Sequence, residues 1–139
     1  MIKIILDTNI IVSAIMGSSN CRLIVNFIVK QNAVLCLSDE VIREYENVVN
    51  YPRLKKISNF SNEAVVVLLK LSEFSLHYTV TQKFNYIKDF PDNRFLELAA
   101  LSGAQYLITG NTKDFTFQSF FETRIISPAD FCTEFNLKN

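Results

Sequence analysis

Four acidic residues stand where a parallel α/β sheet would gather them at one edge. Asp7 follows an aliphatic run typical of a buried strand, and Glu44 lies inside the helix after the second strand. Asp92 stands at the start of the helix before the fourth strand, which is expected over residues 106–109, and Asp114 follows that strand. The carboxyl ends of parallel strands converge, so these carboxylates are expected to meet. Because like charges repel, the pattern predicts a hard divalent cation such as Mg²⁺ or Mn²⁺, which can activate water against a phosphodiester.

Some of these acids also have a structural explanation when taken alone. A single Asp after a strand is more often a helix cap, and this is the simpler interpretation of Asp7. Glu44 is different, because it lies beside the apolar stripe of its helix, where a charged side chain is not explained by capping or by simple solvent exposure. No serine-histidine or cysteine-histidine pairing competes with the cation site. His77 is the only histidine, and its strand-like surroundings indicate a residue at the edge of a sheet.

The composition indicates one globular domain spanning residues 1–139. Hydrophobic residues make up 49% of the chain and charged residues 20%, which is enough to close a substantial core. The chain has 14 lysines and arginines and 14 acidic residues, so a general electrostatic attraction of the whole protein to nucleic acid is not expected. Any phosphate contact should therefore be local. The densest basic cluster is Arg53, Lys55 and Lys56, which could equally be a solvated surface.

The sequence favours a cytoplasmic location and no membrane. Cys21, Cys36 and Cys132 are far apart and odd in number, so they are expected to be buried thiols in a reducing compartment. A strand begins directly after Met1, which leaves no room for a signal peptide, and no apolar run approaches the length of a bilayer span.

Short apolar runs and apolar residues at helical spacing predict the strands and helices that would position the acids. Strands are expected over residues 2–6, 34–37, 106–109 and 124–126, with an edge strand or extended connection over 76–81. Helices are expected from 10 onward and over 21–31, 38–49, 63–74 and 128–135, the last starting at a proline. A further helix is expected to open within residues 89–93 and to close at Gly103. A strand, helix, strand sequence of this length implies a right-handed parallel crossover. The fold class is therefore α/β with a mostly parallel sheet.

Five segments, taken in chain order, resemble the PIN domain, and more narrowly the PIN-type toxins of prokaryotic toxin-antitoxin pairs. Each motif alone is common, but all five occur in register over nearly the whole chain. They are Asp7-Thr8-Asn9, Ser38-x-Glu40-Val41-Ile42-x-Glu44-Tyr45, Asp89-x-x-Asp92-Asn93-x-Phe95-Leu96-Glu97-x-Ala99, Ile108-Thr109-Gly110-Asn111-x-x-Asp114-Phe115 and Ile126-Ser127-Pro128-Ala129-Asp130-Phe131.

The resemblance implies a metal-dependent endoribonuclease with a three-layer α/β/α sandwich. It implies Mg²⁺ or Mn²⁺ as cofactor, RNA as substrate, a partner antitoxin and a homodimer. The three core acids would be Asp7, Glu44 and Asp92, with Asp114 as a more variable fourth.

The same resemblance implies that Asn9 and Thr109 shape the site. Asn111 departs from the family pattern, because related sequences often carry Asp there and this chain has two residues rather than one before Asp114. One fewer carboxylate lowers the affinity for a second cation, so the second metal site is in doubt.

Two other classes stay open at this stage. The first is a PIN fold that binds RNA or protein without catalysis, which a nuclease assay would separate from an enzyme. The second is a receiver-type module with a phosphorylated Asp, but such a module would require a paired acid near the first strand and a Lys after the last strand.

A further expectation concerns assembly. Four phenylalanines crowd one short stretch, namely Phe115, Phe117, Phe120 and Phe121. Some of them should lie on a subunit or antitoxin interface, although placement in the core is nearly as well supported.

Overall fold

The computed structural model describes residues 1–83, 90–112, 115 and 118–139, with only the backbone of residues 90–92. The elements within these ranges are β1 (Ile2–Leu6), α1 (Thr8–Ile15), α2 (Ser19–Val29), β2 (Ala33–Ser38), α3 (Asp39–Val49), α4 (Pro52–Lys55), α5 (Phe60–Glu73), β3 (Ser75–Tyr78), α6 (Phe90–Ser102), β4 (Tyr106–Ile108), β5 (Ser119–Phe120), β6 (Thr123–Ile126) and α7 (Pro128–Glu134).

The six strands form one sheet in the order β3-β2-β1-β4-β6-β5, and all neighbours are parallel except β5 and β6. In the register of this sheet Ile4 of β1 lies opposite Leu35 on one side and Tyr106 on the other. The chain first builds outward from β1 through β2 to β3, and then crosses back to place β4 on the other side of β1. The loops after β1 and β4 therefore diverge, which is where open α/β sheets bind ligands.

The first strand lies at the centre because its side chains suit burial on both faces. Ile4, Ile5 and Leu6 are fully buried, and they belong to one core cluster that also contains residues of α1, α2, α3, α6 and α7. This burial agrees with the aliphatic composition of the strand, in which Lys3 is the one exception. Between β1 and the next element the only polar interruption is Asp7, so the sheet carries that acid at its carboxyl edge.

The α/β class with a central, mostly parallel sheet is confirmed. Ser18, Ser38 and Ser127 each accept a backbone N–H at the start of a helix. Gly103 ends α6 with a φ of 66°, a conformation that glycine adopts without strain. The three cysteines are free thiols and buried, as expected.

Several element boundaries differ from the predictions. The edge strand ends at Tyr78 rather than residue 81, and the second helix ends at Val29 rather than residue 31. The sequence did not predict the short helix α4 or the two-residue strand β5. Of the described helices none is by itself both long and apolar enough to cross a membrane; α1 and α2 meet that test only as a pair bent by 105°.

Candidate active site

Asp7 is the most deeply buried of the described site acids, with 6% of its surface exposed. It occupies the N-cap position of α1, yet its side chain makes no capping hydrogen bond. Its Oδ2 instead accepts a hydrogen bond of 2.7 Å from Thr109 Oγ1, which lies 102 positions further along the chain. The helix-cap interpretation of this carboxylate is therefore wrong, and the acid is turned toward the loop after β4.

Thr109 joins the two loops that diverge between β1 and β4. Its side chain is fully buried, and its Oγ1 also accepts the backbone N–H of Asn111 at 3.0 Å. One hydroxyl thus fixes both the Asp7 carboxylate and the first turn of the loop that leads toward residue 114. Asn111 itself is exposed. Thr109 therefore contacts Asp7 directly, and its site-shaping role stays a prediction.

Glu44 is half-buried in the middle of α3. The next residue, Tyr45, is 3% exposed, and its hydroxyl donates a hydrogen bond of 2.6 Å to the backbone carbonyl of Leu6. Leu6 directly precedes Asp7, so this bond brings the segment that carries Glu44 beside the segment that carries Asp7. Burial raises the pKa of the Tyr45 phenol well above its usual range, and the nearby charge of Asp7 raises it further.

The other two predicted acids fall where the structure gives no side chain. Asp92 is the third residue of α6 by its backbone, but its side chain lies outside the described residues, as does Asp114. Helix α6 packs against both α3 and β1, the elements next to Glu44 and Asp7. Among the side chains that are described, no three His, Cys, Asp or Glu residues come close enough to hold a metal ion together.

Sequence reasoning gave no role to a buried charge cluster on α6. Glu97 is 2% exposed and lies 3.1 Å from Arg94 on the same helix and 3.8 Å from Lys83. Lys83 also contacts Glu40 of α3 at 3.0 Å, and this contact lowers the pKa of the Glu40 carboxyl. The cluster therefore ties α6 to α3. The available signal was the placement of one acid between apolar neighbours on the buried side of α6.

The remaining predicted residues lie apart from this buried constellation. Asn9 is exposed as the second residue of α1. Arg53, Lys55 and Lys56 are exposed in and directly after α4, which packs against α5, and the Arg53 guanidinium lies 6.0 Å from the ring centre of Tyr51. His77 lies on the edge strand, as expected, with Nε2 at 2.8 Å from Asp39.

The donor atoms present suit a hard divalent cation. Asp7 and Glu44 offer carboxylate oxygens, and the Asp7 carboxylate accepts a hydrogen bond from a hydroxyl. Oxygen donors of this kind are the ligands that Mg²⁺ and Mn²⁺ prefer, whereas zinc sites draw on nitrogen and sulfur. The chemistry of the residues thus fits Mg²⁺ or Mn²⁺.

The sheet order and the buried Asp7 at the switch point define a doubly wound α/β protein with an acidic site at the carboxyl edge of its strands. A family model described as PIN domain matches residues 3–113, which is most of the sequence. The chain belongs to the PIN domain family. It is also similar to the uncharacterised protein MJ1680 of Methanocaldococcus jannaschii, with 28% identity over 111 residues that cover 79% of this chain and 71% of the relative.

Two solved structures share this fold. One is VapBC2 from Rickettsia felis bound to a DNA fragment from its promoter, with a TM-score of 0.62, 19% identity, and coverage of 91% of this chain and 98% of that chain. The other is VapC20 of Mycobacterium tuberculosis, a toxin that cleaves the sarcin-ricin loop, with a TM-score of 0.52, 16% identity, and coverage of 87% and 98%.

Proposed function

We propose that this chain is a Mg²⁺- or Mn²⁺-dependent endoribonuclease that acts as the toxin of a toxin-antitoxin pair. The observation that carries the proposal is the buried Asp7 carboxylate, oriented by Thr109 at the switch point of a PIN-family sheet. A carboxylate that only capped α1 would accept a backbone N–H of that helix, and the Asp7 side chain makes no such capping bond. The likeness to VapC20, a toxin that cleaves the sarcin-ricin loop, supports a ribonuclease activity for this chain.

The metal ligands in this proposal are Asp7, Glu44 and Asp92, with Asp114 as the fourth acid. A cation held by these residues would supply an activated water and would stabilise charge on the leaving oxygen of the phosphodiester. Thr109 holds the Asp7 carboxylate in one orientation. We infer that the exposed Asn9, two residues after Asp7, and the exposed Asn111, two residues after Thr109, contact the substrate. Because Asn111 carries no charge, we propose that one cation binds more tightly than a second.

The test is cleavage of single-stranded RNA by the purified protein, with Asp92→Asn as the decisive variant. We expect internal cuts with Mg²⁺ or Mn²⁺ and none after addition of a chelator. Asn and Asp are comparable near a helix start, so if Asp92 served only α6 the variant would behave as wild type. If Asp92 is a ligand among like charges, its replacement relieves repulsion. The metal-free variant should then be at least as stable as wild type, with a gain of up to about 1 kcal/mol in the free energy of unfolding.

Cleavage by Asp92→Asn should also fall by orders of magnitude, and the rise in melting temperature that Mn²⁺ gives to wild type should shrink or vanish. Asp130→Asn is the matched control, because Asp130 is the third residue of α7 as Asp92 is of α6. The control should keep full cleavage and the full metal-induced shift. An Asp92→Asn protein that does the same would remove Asp92 from the site. Chelator-resistant cleavage would contradict metal dependence, and a folded wild type that never cleaves would leave a binding module.

The remaining parts of the proposal concern partners and place. We infer that residues 1–139 form a single PIN-like domain, because one sheet and one core cluster extend from β1 to α7. An antitoxin partner is supported by the likeness to VapBC2 and by a row of exposed apolar side chains on α5, namely Val65, Val66 and Leu69. Such a pair acting on cellular RNA would function in the cytoplasm.

A further inference from the structure

The peptide unit between Leu6 and Asp7 is held from both of its ends. Its carbonyl, on Leu6, accepts the Tyr45 hydroxyl at 2.6 Å, and its N–H, on Asp7, donates to the carbonyl of Ile108 at 3.0 Å. The second bond is part of the parallel pairing of β1 with β4. The first comes from a side chain of α3 and is not required by the sheet.

Tyr45 also contacts the third element that carries a predicted ligand. Its ring lies 6.4 Å from the ring of Phe95 in α6, centre to centre, with 33° between the ring planes. Phe95 is 1% exposed and follows Asp92 by one helical turn. One side chain thus links β1, which leads to Asp7, with α3, which carries Glu44, and with α6, which carries Asp92.

A phenol at this place needs an explanation beyond packing. This chain uses 12 phenylalanines, and a Phe ring would fill the same volume without a polar atom to satisfy. Burying a hydroxyl costs free energy unless it finds a partner, and here its partner is the carbonyl directly before the site acid.

We propose that Tyr45 is a positioning residue, whose hydroxyl fixes the backbone of Asp7 relative to Glu44 and thereby sets the affinity of the site for its cation. This inference rests on the proposed function for its metal-binding consequence, but the positioning of Asp7 can be tested in the metal-free protein. Partners that orient metal ligands typically contribute tenfold to a hundredfold in metal affinity.

The experiment compares Tyr45→Phe with Tyr106→Phe, because each removes one hydroxyl and one hydrogen bond and keeps the ring. The hydroxyl of Tyr106 donates to Glu134 of α7 at 2.7 Å, so its loss should not reach Asp7. The first readout is amide hydrogen exchange in the metal-free proteins. In Tyr45→Phe, exchange of the Asp7 amide should quicken relative to that of Ile4 in the same strand, whereas Tyr106→Phe should leave this ratio unchanged.

The second readout is a calorimetric titration with Mn²⁺ and a kcat and KM pair for RNA cleavage. Tyr45→Phe should weaken Mn²⁺ binding by about tenfold and lower kcat with little change in KM, and Tyr106→Phe should match wild type. An unchanged Asp7 exchange ratio would overturn the inference, as would unchanged Mn²⁺ affinity in a variant whose exchange ratio rose. A third outcome is quickened exchange of the Asp7 amide in Tyr45→Phe together with a wild-type protein that binds no Mn²⁺. That outcome would support the positioning of Asp7 and reject the proposed metal-dependent function.

Discussion

At the scale of single residues, the hydroxyl of Thr109 is the contact that distinguishes a positioned carboxylate from a surface acid. It is fully buried, it donates to Asp7 and it accepts from the backbone of Asn111. Hydrogen bonds to charged acceptors are stronger than neutral ones and leave a costly gap when one partner is removed. A change at Thr109 should therefore affect both stability and chemistry.

We expect Thr109→Val to lower the free energy of unfolding by about 1–3 kcal/mol and to reduce RNA cleavage sharply, because the carboxylate loses a buried donor. Thr109→Ser keeps the hydroxyl and should restore most of the cleavage. Chemical denaturation and a cleavage time course measure the two effects.

The control for this prediction is Thr123→Val. Thr123 is also fully buried, but its hydroxyl donates to the carbonyl of Ala104, on a different part of the sheet. It should cost similar stability and leave cleavage intact. Equal cleavage by both valine variants would show that the bond to Asp7 contributes only to folding.

The residue scale also marks where sequence reasoning stopped. The position of Asp7 after a buried strand could be predicted from the aliphatic run before it. Its partner could not, because Thr109 is 102 positions away and the pairing exists only once β4 lies beside β1. The same is true of Tyr45, whose apolar spacing in α3 predicts a buried ring but not the carbonyl that its hydroxyl reaches.

At the scale of elements, long periodic segments were predictable and short ones were not. Helices α3 and α5 have 11 and 14 residues and show their periodicity plainly. Helix α4 has only four residues, which are too few to show a helical period. It begins at Pro52, and a proline can mark either the start of a helix or the end of the preceding one. Strand β5 is two residues long and pairs with β6 through a turn that lacks the Gly or Asn typical of hairpins.

The turn of that hairpin gives the aromatic cluster its observed arrangement. Phe121 is 71% exposed and has a φ of 54°, a conformation that bulky residues rarely adopt. It lies edge-on to Phe120 at 4.8 Å between ring centres, while Phe115 is buried and Phe117 lies outside the described residues. Phe121 is therefore exposed and Phe115 belongs to the core, and the expectation that part of the aromatic excess lies on an interface stays a prediction. The homodimer stays a proposal.

We expect Phe121→Asn to convert a homodimer into a monomer, because it removes the most exposed ring of the hairpin. Since Asn tolerates a positive φ better than Phe, the monomer should not lose stability. Light scattering against concentration would measure the mass, with Met16→Asn as a control at another exposed apolar site. A dimer that survives Phe121→Asn would exclude this hairpin, and a wild type that stays monomeric at high concentration would exclude the dimer.

At the scale of the whole molecule, the balance of charge decides how RNA can be held. With 14 basic and 14 acidic residues the protein has no net charge to attract a polyanion, and its candidate site is itself acidic. Productive binding therefore needs a local group of cations that contacts phosphates. The exposed cluster of Arg53, Lys55 and Lys56 is the densest such group in the sequence.

The double variant Lys55→Glu with Lys56→Glu tests this whole-molecule argument. If both lysines contact phosphates, RNA affinity should fall for all sequences alike, and the slope of log affinity against log salt should decrease by about 2, because fewer counterions are released on binding. The matched control is Lys30→Glu with Lys138→Glu, which changes the net charge equally at two other exposed lysines. Fluorescence anisotropy with single-stranded RNA at several salt concentrations, in Ca²⁺ or chelator to prevent cleavage, gives both slopes. Equal losses in the two double variants would assign the effect to net charge, and unchanged binding at positions 55 and 56 would make that cluster an ordinary solvated surface.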